Sequence, residues 1–458
     1  MDAVVFSAPR AVEVRRVPLP CIEAPTDAIV RVDVAAICGS DLHPYNCREP
    51  CDTGTVFGHE FVGRIVELGD LAARVDPETA SDPDAISLAP LHNLHVGQRV
   101  FAPFTTACGA CEPCVAGLSA RCTSAQLFGW RLDGRGLHGG QAQFVRVPLA
   151  RSTLVPLPPA ISHEDALLLG DILATAVFCA VNAGVLEGGF WRGGRSAASQ
   201  LEAFFEAFDA AARRDAMAPH VAPSVASPAH GPPCYVVVGC GPVGLLATAV
   251  TVLLLRLRRE LEAVAGLSPA PRVLAVDSVP SRLAAARTCG AETVLLPPPS
   301  ASATDTGAAA AAAVCGAVAS PAAPPATPPP RVVAALECVG SPAALRLAFD
   351  VLAPGATLSS VGVHTAPAYP FSPGEAYDRN VTLRCGRCPA RSLIPWAARV
   401  VQLMRAAGTD PGALVISHRL PLTEAPRAYA SFDAREDGWG KVILRPWPGE
   451  WGTSSESD

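Results

Sequence analysis

The stretch "YVVVGCGPVGLLATAVTVLLL", residues 235–255, constrains this chain more than any other. Its length and lack of charge meet the usual criterion for a membrane span. Its internal order argues otherwise. A short β-branched run is followed by three glycines and a proline, then by a helical segment that ends in "RLRRELEAV". That pattern is a buried strand, a tight turn and a helix, so no membrane contact is expected. Gly239, Gly241 and Gly244 form G-x-G-x-x-G across the turn. Glycines there let the backbone approach a pyrophosphate, and the helix N-terminus adds positive potential. The motif is weak alone; between a strand and a helix it indicates dinucleotide binding.

Alternation continues downstream, through "RVLAVD", "SRLAAARTCG", "TVLL", "VVAALECVG", "SPAALRLAFDVLAPG" and "TLSSVGV". Strands and helices in this order predict an α/β chain with a doubly wound parallel sheet. Asp277 ends the second strand and is placed to bind the adenosine ribose hydroxyls, although it lies beyond the usual ~20-residue spacing because the preceding helix and loop are long. A carboxylate there repels the extra phosphate of NADP, which favours NAD. Arg282, nearby, could instead welcome that phosphate, and Cys240 reads as a small filler within the glycine loop.

At 458 residues, with 50% hydrophobic and 17% charged residues, the chain can build two or three domains around large cores. A formal charge of −6 argues against a nucleic-acid surface. The opening "MDAVVFSAPRAVEVRRVPLP" reads as a strand and lacks a signal-peptide pattern. Sixteen cysteines are therefore expected as reduced thiols or metal ligands in a cytoplasmic setting. Residues 1–150 show short alternating segments that suggest strands, and "SHEDALLL" offers Ser162 as a helix N-cap. Three stretches, 74–95, 187–231 and 297–330, read as inserted loops or disorder; "QLEAFFEAFDAAARR" in the second could form an isolated amphipathic helix.

"ACGACEPCVAGLSARC" places Cys108, Cys111, Cys114 and Cys122 within one loop, about residues 105–125. Four thiolates this close can surround Zn²⁺ with no open position, a structural site; an iron–sulfur cluster is the weaker rival. A second set is dispersed. Cys38 in "AAICGSDLH" and His59 in "VFGHEFVGRI" suit zinc, and Gly39 and Gly58 suggest turns that aim them. Each alone could be a buried thiol or a loop histidine. Asp171 poses the puzzle that joins them, because "LLLGDILATAVFCAVNAG" is otherwise almost wholly apolar and a buried carboxylate must be paired or bound to metal. Together the three would hold zinc and leave one position for water or substrate.

With these motifs, "GGQAQFVRVP" and "GDILAT", the chain resembles the zinc-containing medium-chain dehydrogenase/reductase superfamily, the alcohol dehydrogenase group. The aspartate in "GDILAT" is similar to the branch that holds glutathione-independent formaldehyde dehydrogenase. The resemblance implies a GroES-like β-rich catalytic domain, 1–175 and 366–458, and a Rossmann domain, 176–365. It implies Cys38, His59 and Asp171 as catalytic zinc ligands, with Glu60 behind or transiently on the metal and Asp41 orienting the histidine. Ser40 and His43 match its proton relay, although by its sequence alone His43 could also be a solvated loop histidine, and Thr175 matches a threonine near the nicotinamide. Ala176 departs from the glycine usual in this branch.

The implied cofactors are two Zn²⁺ per chain and NAD, and the implied assembly is a homodimer or homotetramer. The implied reaction is hydride transfer between a primary alcohol or small aldehyde and the nicotinamide. Rivals are a polyol dehydrogenase, and a silent nucleotide-binding or assembly protein on the same fold. Phe104, Trp130 and Trp396 are candidate pocket walls; Cys47 and Cys51 are extra thiols near the site; Cys385 and Cys388 read as a coincidental C-x-x-C.

Overall fold

The computed structural model describes residues 1–75, 86, 91–187, 196–213, 231–262, 270–297, 303–319 and 330–447, so parts of each of the three inserted stretches lie outside the described residues. The chain forms two units, one of Met1–Asp171, Pro389–Ala398 and Val415–Asp458, the other of Ile172–Cys388 and Arg399–Leu414.

The first unit opens with strands β1 (Asp2–Ala8), β2 (Ala11–Arg16), β3 (Ala28–Ile37), β4 (Phe61–Leu68), β5 (Arg99–Phe101), β6 (Trp130–Leu132), β7 (Arg135–Leu137), β8 (Phe144–Val147) and β9 (Val155–Pro156). The sequence "AIVRVDVAAI" makes β3 the spine of this unit. Its Val30, Val32 and Ala35 pack with Phe61, Ile65, Val100 and Val145 in one apolar core. β4 and β8 both pair with it antiparallel. Ser162 caps the helix His163–Gly170 by accepting the Asp165 N–H, as its residue type predicts.

In the second unit, β10 (Pro233–Val238), β11 (Arg272–Asp277), β12 (Glu292–Leu295), β13 (Arg331–Glu337), β14 (Thr357–Ser360) and β15 (Thr382–Cys385) form a sheet in the order β12-β11-β10-β13-β14-β15. All its pairings are parallel. Strands such as "PCYVVV" are buried along nearly their whole length, as strands covered on both faces must be. Strand order reverses between β10 and β13, the switch point beyond which doubly wound sheets bind their ligands. The apolar run after β10 becomes the helix Pro242–Glu262. Among the described residues no helix is long and apolar enough to cross a membrane.

The chain then returns to the first unit with β16 (Ile416–Pro421) and β17 (Lys441–Arg445). They extend its sheet, giving β16-β17-β3-β4-β5-β9.

Three expectations shift. The parallel sheet does not end near 365: β15 pairs with β14, so residues 366–388 belong with the second unit, and that unit begins at Ile172 rather than 176. The alanine run expected as loop holds the helix Ala303–Val318. Alanine is the best helix former, and Ala310, Val314 and Val318, four residues apart, bury one face against the sheet core. The helix expected to stand isolated, Ala197–Arg213, instead buries Leu201 and Phe205 and packs on the helices Ile172–Asn182 and Pro242–Glu262.

Candidate metal centres and dinucleotide-binding loop

The local geometry around Cys38 follows from what flanks it. β3 ends at Ile37, and a single 3-10 turn, Gly39–Asp41, begins at once. The Cys38 backbone N–H donates to Asp41 Oδ2 at 3.0 Å, which closes that turn and brings the aspartate beside the cysteine. The two neighbouring glycines differ. Gly58 lies at φ +90°, and a Cβ there would come within 2.3 Å of Gln141 Cγ. Gly39 has open space where its Cβ would be and no positive φ, so the turn at Cys38 does not require it.

Asp171 occupies a break between helices. His163–Gly170 ends just before it, Ile172–Asn182 begins just after, and Asp171 itself has φ −144° and ψ −84°. Although Thr175 is four residues beyond Asp171, the two do not share a helical face, because Asp171 is outside the helix. Thr175 is a buried residue of Ile172–Asn182, in the second unit.

The break turns the Asp171 carboxylate toward Cys38 and His59. Cys38 Sγ donates to Asp171 Oδ2 at 3.3 Å, and His59 Nε2 lies 3.2 Å from the same oxygen. A tetrahedral zinc separates its ligand atoms by roughly 3.3–3.6 Å, so the spacing fits the ion. Ser40 Oγ is 3.3 Å from both Cys38 Sγ and His59 Nε2. His59 Nδ1 is 3.0 Å from Asp41 Oδ1, which leaves Nε2 to face the cluster.

The charges also ask for a cation. Burial and the Asp171 carboxylate push the Cys38 thiol up. Burial opposes charging His59, yet Asp41 and Asp171 hold its pKa well above the usual value. Behind them Glu60 is fully buried; burial raises its carboxyl to about 7. It is paired with Lys441 on β17, which is equally buried. Burial disfavours the ammonium, but Glu60, Cys38 and Asp171 outweigh it and raise the Lys441 pKa. The sequence reading missed Lys441, whose only signal is a lysine opening the apolar strand "KVILR".

His43 is buried on the short helix Leu42–Tyr45 and is not a solvated loop residue. Phe104 meets the His59 ring edge-on at 6.4 Å between centroids, whereas Trp130 Nε1 donates to the Pro50 carbonyl at 2.9 Å. Trp396 lies on the helix Ala390–Ala406.

The four-cysteine loop closes locally. The sulfurs of Cys108, Cys111, Cys114 and Cys122 all lie within 4.8 Å of one another, as four ligands of one tetrahedral ion require. Gly109 and Gly117, both with positive φ, let the loop wrap. Backbone N–H groups point inward: Cys108 N donates to Cys122 Sγ at 3.2 Å and Cys111 N to Cys108 Sγ at 3.3 Å. Amides of Thr123 and Cys114 lower the Cys111 thiol to about 6, while burial raises Cys114 to about 12. Cys47, Cys51, Cys385 and Cys388 join no such metal cluster among the described residues.

In the second unit the glycine loop follows β10. Gly239 lies at φ +91°, and a Cβ at Gly244 would sit 1.7 Å from Gly239 O. Gly241 has nothing within 4 Å of its Cβ position, the open space a pyrophosphate needs beside the backbone. The Asp277 carboxylate accepts the N–H groups of Cys240 at 2.6 Å and Val279 at 2.9 Å, so it fastens the loop to the end of β11. Arg282 is half-buried on the helix Pro280–Thr288.

Two family profiles match, that of the alcohol dehydrogenase GroES-like domain over residues 24–159 and that of zinc-binding dehydrogenases over 263–402. Zinc-type alcohol dehydrogenase B of Aspergillus flavus is 31% identical, over 95% of this chain and 79% of its own. Glutathione-independent formaldehyde dehydrogenase of Pseudomonas aeruginosa is 32% identical over 40% of this chain and 45% of its own. Among solved structures, alcohol dehydrogenase TADH from Thermus sp. ATN1 superposes with a TM-score of 0.67 at 29% identity, covering 97% of this chain and 99% of that one.

Proposed function

The chain belongs to the zinc-binding alcohol dehydrogenase family of medium-chain dehydrogenases, and from that premise we propose that it moves hydride between a primary alcohol, or the matching small aldehyde, and NAD. It is an oxidoreductase of a family that uses zinc and a nicotinamide cofactor. The proposed ligands are Cys38, His59 and Asp171 for a catalytic zinc and Cys108, Cys111, Cys114 and Cys122 for a structural one. When bound, the catalytic zinc supplies a Lewis acid that acidifies an alcohol or polarises a carbonyl, and the nicotinamide supplies the hydride site.

The observation that carries this reading is the convergence of a thiol and an imidazole on one carboxylate oxygen, at 3.3 and 3.2 Å, with the Ser40 hydroxyl 3.3 Å from both. The chain's own residues then have separate tasks. Ser40 Oγ takes the proton that an alcohol gives up and His43 is the next station. Asp41 keeps the His59 Nδ1–H in place. Gly239, Gly241 and Gly244 make room for the cofactor's pyrophosphate, and Thr175 belongs near its nicotinamide. Asp277, whose oxygens retain further lone pairs, favours NAD over NADP by charge; Arg282 is the weaker, opposing signal. The partial likeness to a formaldehyde dehydrogenase supports a small aldehyde within this class. An assembly of two or four copies belongs to the same proposal.

The test is turnover by the zinc-loaded chain of primary alcohols, small aldehydes and sugar alcohols, each with NAD and with NADP. NAD-linked turnover of the first two classes is expected. Preference for sugar alcohols would make it a polyol dehydrogenase. NADH binding with full zinc and no turnover on any substrate would leave a silent nucleotide-binding protein.

A further inference from the structure

Beyond Asp41 a buried chain of polar groups runs on through two residues that no motif reading assigns. Asp41 Oδ2 accepts from Gln141 Nε2 at 3.3 Å, and the same nitrogen donates to the Ala36 carbonyl at 2.9 Å. At the other end of the amide, Gln141 Oε1 accepts the Tyr429 hydroxyl at 2.9 Å. Gln141 and Tyr429 are both fully buried and Asp41 nearly so, so no bulk water competes for these bonds. The amide orientation is over-determined. Its nitrogen faces a carbonyl and a carboxylate, and its oxygen faces a hydroxyl, so the reverse orientation would set the amide oxygen against two acceptors.

A second contact reaches His59 by another route. Gln141 Cγ lies 2.3 Å from where a Cβ on Gly58 would be, so the glutamine rests on the left-handed turn that precedes His59. Backbone bonds hold it there: Gln141 N donates to Phe57 O at 3.0 Å and Gly140 N to Gly58 O at 2.8 Å. The Tyr429 ring packs on Tyr45 and Phe57, at 5.3 and 5.9 Å between centroids. Tyr429 therefore braces both the amide and the segment that carries the histidine.

We propose that Tyr429, acting through Gln141 and Asp41, is a positioning residue for the His59 imidazole at the three-ligand metal centre. This rests on the reading of Cys38, His59 and Asp171 as zinc ligands. Removing the hydroxyl strands Gln141 Oε1 in a buried place and lets the amide shift within its site, which weakens its donation to Asp41 and loosens the hold on His59 Nδ1. Groups that orient a metal-ligating histidine typically alter metal affinity by about 10- to 100-fold; a partner one step further out is expected near the lower end, about tenfold.

The test uses the full chain as Tyr429→Phe, Gln141→Met, both together, and Asp41→Asn. Zinc release to a chelator is followed separately for the two centres, and the cobalt(II)-substituted three-ligand centre is followed by its visible absorption. The expected result is about tenfold weaker zinc retention at that centre in Tyr429→Phe and a shifted cobalt band. Retention at the four-cysteine centre should be unchanged, and the loss should not grow when Gln141→Met is added. If Asp41→Asn weakens the three-ligand centre while Tyr429→Phe leaves its affinity and cobalt band as in the parent, the proposal fails and the ligand reading stands. If Tyr429→Phe weakens both centres equally, the residue is only structural and the proposal fails. If Asp41→Asn also changes nothing, the ligand reading falls with it.

Discussion

The four-cysteine loop and the Cys38–His59–Asp171 cluster assemble their proposed metal ligands by opposite means. The first draws four sulfurs from residues 108–122, one stretch that two left-handed glycines fold on itself. The second draws on the end of β3, the turn before β4 and a break between helices, with Cys38 and Asp171 separated by 133 residues. A local loop can keep its ligands together when much of the unit is loosened. A dispersed cluster exists only if the whole first unit has folded. The loop offers four thiolates and no vacancy, whereas the dispersed set offers three different donors with a hydroxyl at its side. Closure suits structure, and an open corner suits chemistry.

The sharpest way to break this contrast is to remove one ligand from each. Asp171→Ala should leave one zinc per chain instead of two, by metal analysis, and lower kcat/KM on the order of 10³-fold, the several kcal/mol a Lewis acid supplies. The thermal midpoint should fall much less. Cys111→Ser should also leave one zinc, yet its main effect should be on stability, with the remaining folded fraction still active. Two zinc ions retained in Asp171→Ala, or loss of both in Cys111→Ser, would show that the two centres are not separable in this way.

The same contrast governs what could be seen in advance. The loop was legible because its chemistry is written in adjacent letters, and the glycine motif between β10 and the helix Pro242–Glu262 was legible for the same reason. Asp171 was legible through its misfit, a lone acid in an apolar run. Lys441 and Tyr429 were not, since each is an ordinary residue in its own segment and gains its meaning from a partner 381 or 288 residues away, and Gln141, although inside "GGQAQFVRVP", gains its role only from Asp41, 100 residues away. The helix Ala303–Val318 was misread because composition hid its periodicity: alanine counted as low complexity, while three residues four apart carried its packing. The position of β15 was hidden too, because a half-exposed strand at a sheet edge lacks the continuous apolar run of its neighbours.

A smaller effect sharpens the comparison within the dispersed centre. Gly58→Ala places a Cβ 2.3 Å from Gln141 Cγ at a residue with φ +90°, so strain and overlap act together. The expected cost is about 3 kcal/mol in denaturant unfolding, with weakened zinc retention at the three-ligand centre. Gly39→Ala meets open space at an ordinary φ and should change stability by less than about 0.5 kcal/mol. Equal effects at the two positions would mean that the turn before His59 does not set the imidazole.

An effect smaller than that of Gly58→Ala concerns the frame beside the four-cysteine loop. Ser152 Oγ donates to the Ala107 carbonyl at 2.5 Å, immediately before Cys108, and its own carbonyl accepts Arg391 Nε at 3.1 Å. Arg391 Nη2 lies 2.7 Å from His92 Nε2, a fully buried imidazole. Burial, with the charges of Arg391 and Arg151, lowers the His92 pKa to about 3. A histidine kept neutral in the fold contributes stability in full above its unfolded pKa of about 6.5, and that contribution drains away as pH falls toward the folded value. Each unit of that interval is about 1.4 kcal/mol, so about 2 kcal/mol should be lost by pH 5. His92→Gln keeps an acceptor for Arg391 and cannot titrate. Protonation of the metal ligands acts on parent and variant alike, so it cancels in their difference. The parent should therefore lose about 2 kcal/mol more than His92→Gln between pH 7 and pH 5 in urea unfolding, and parallel curves would mean that Arg391 tolerates a charged neighbour.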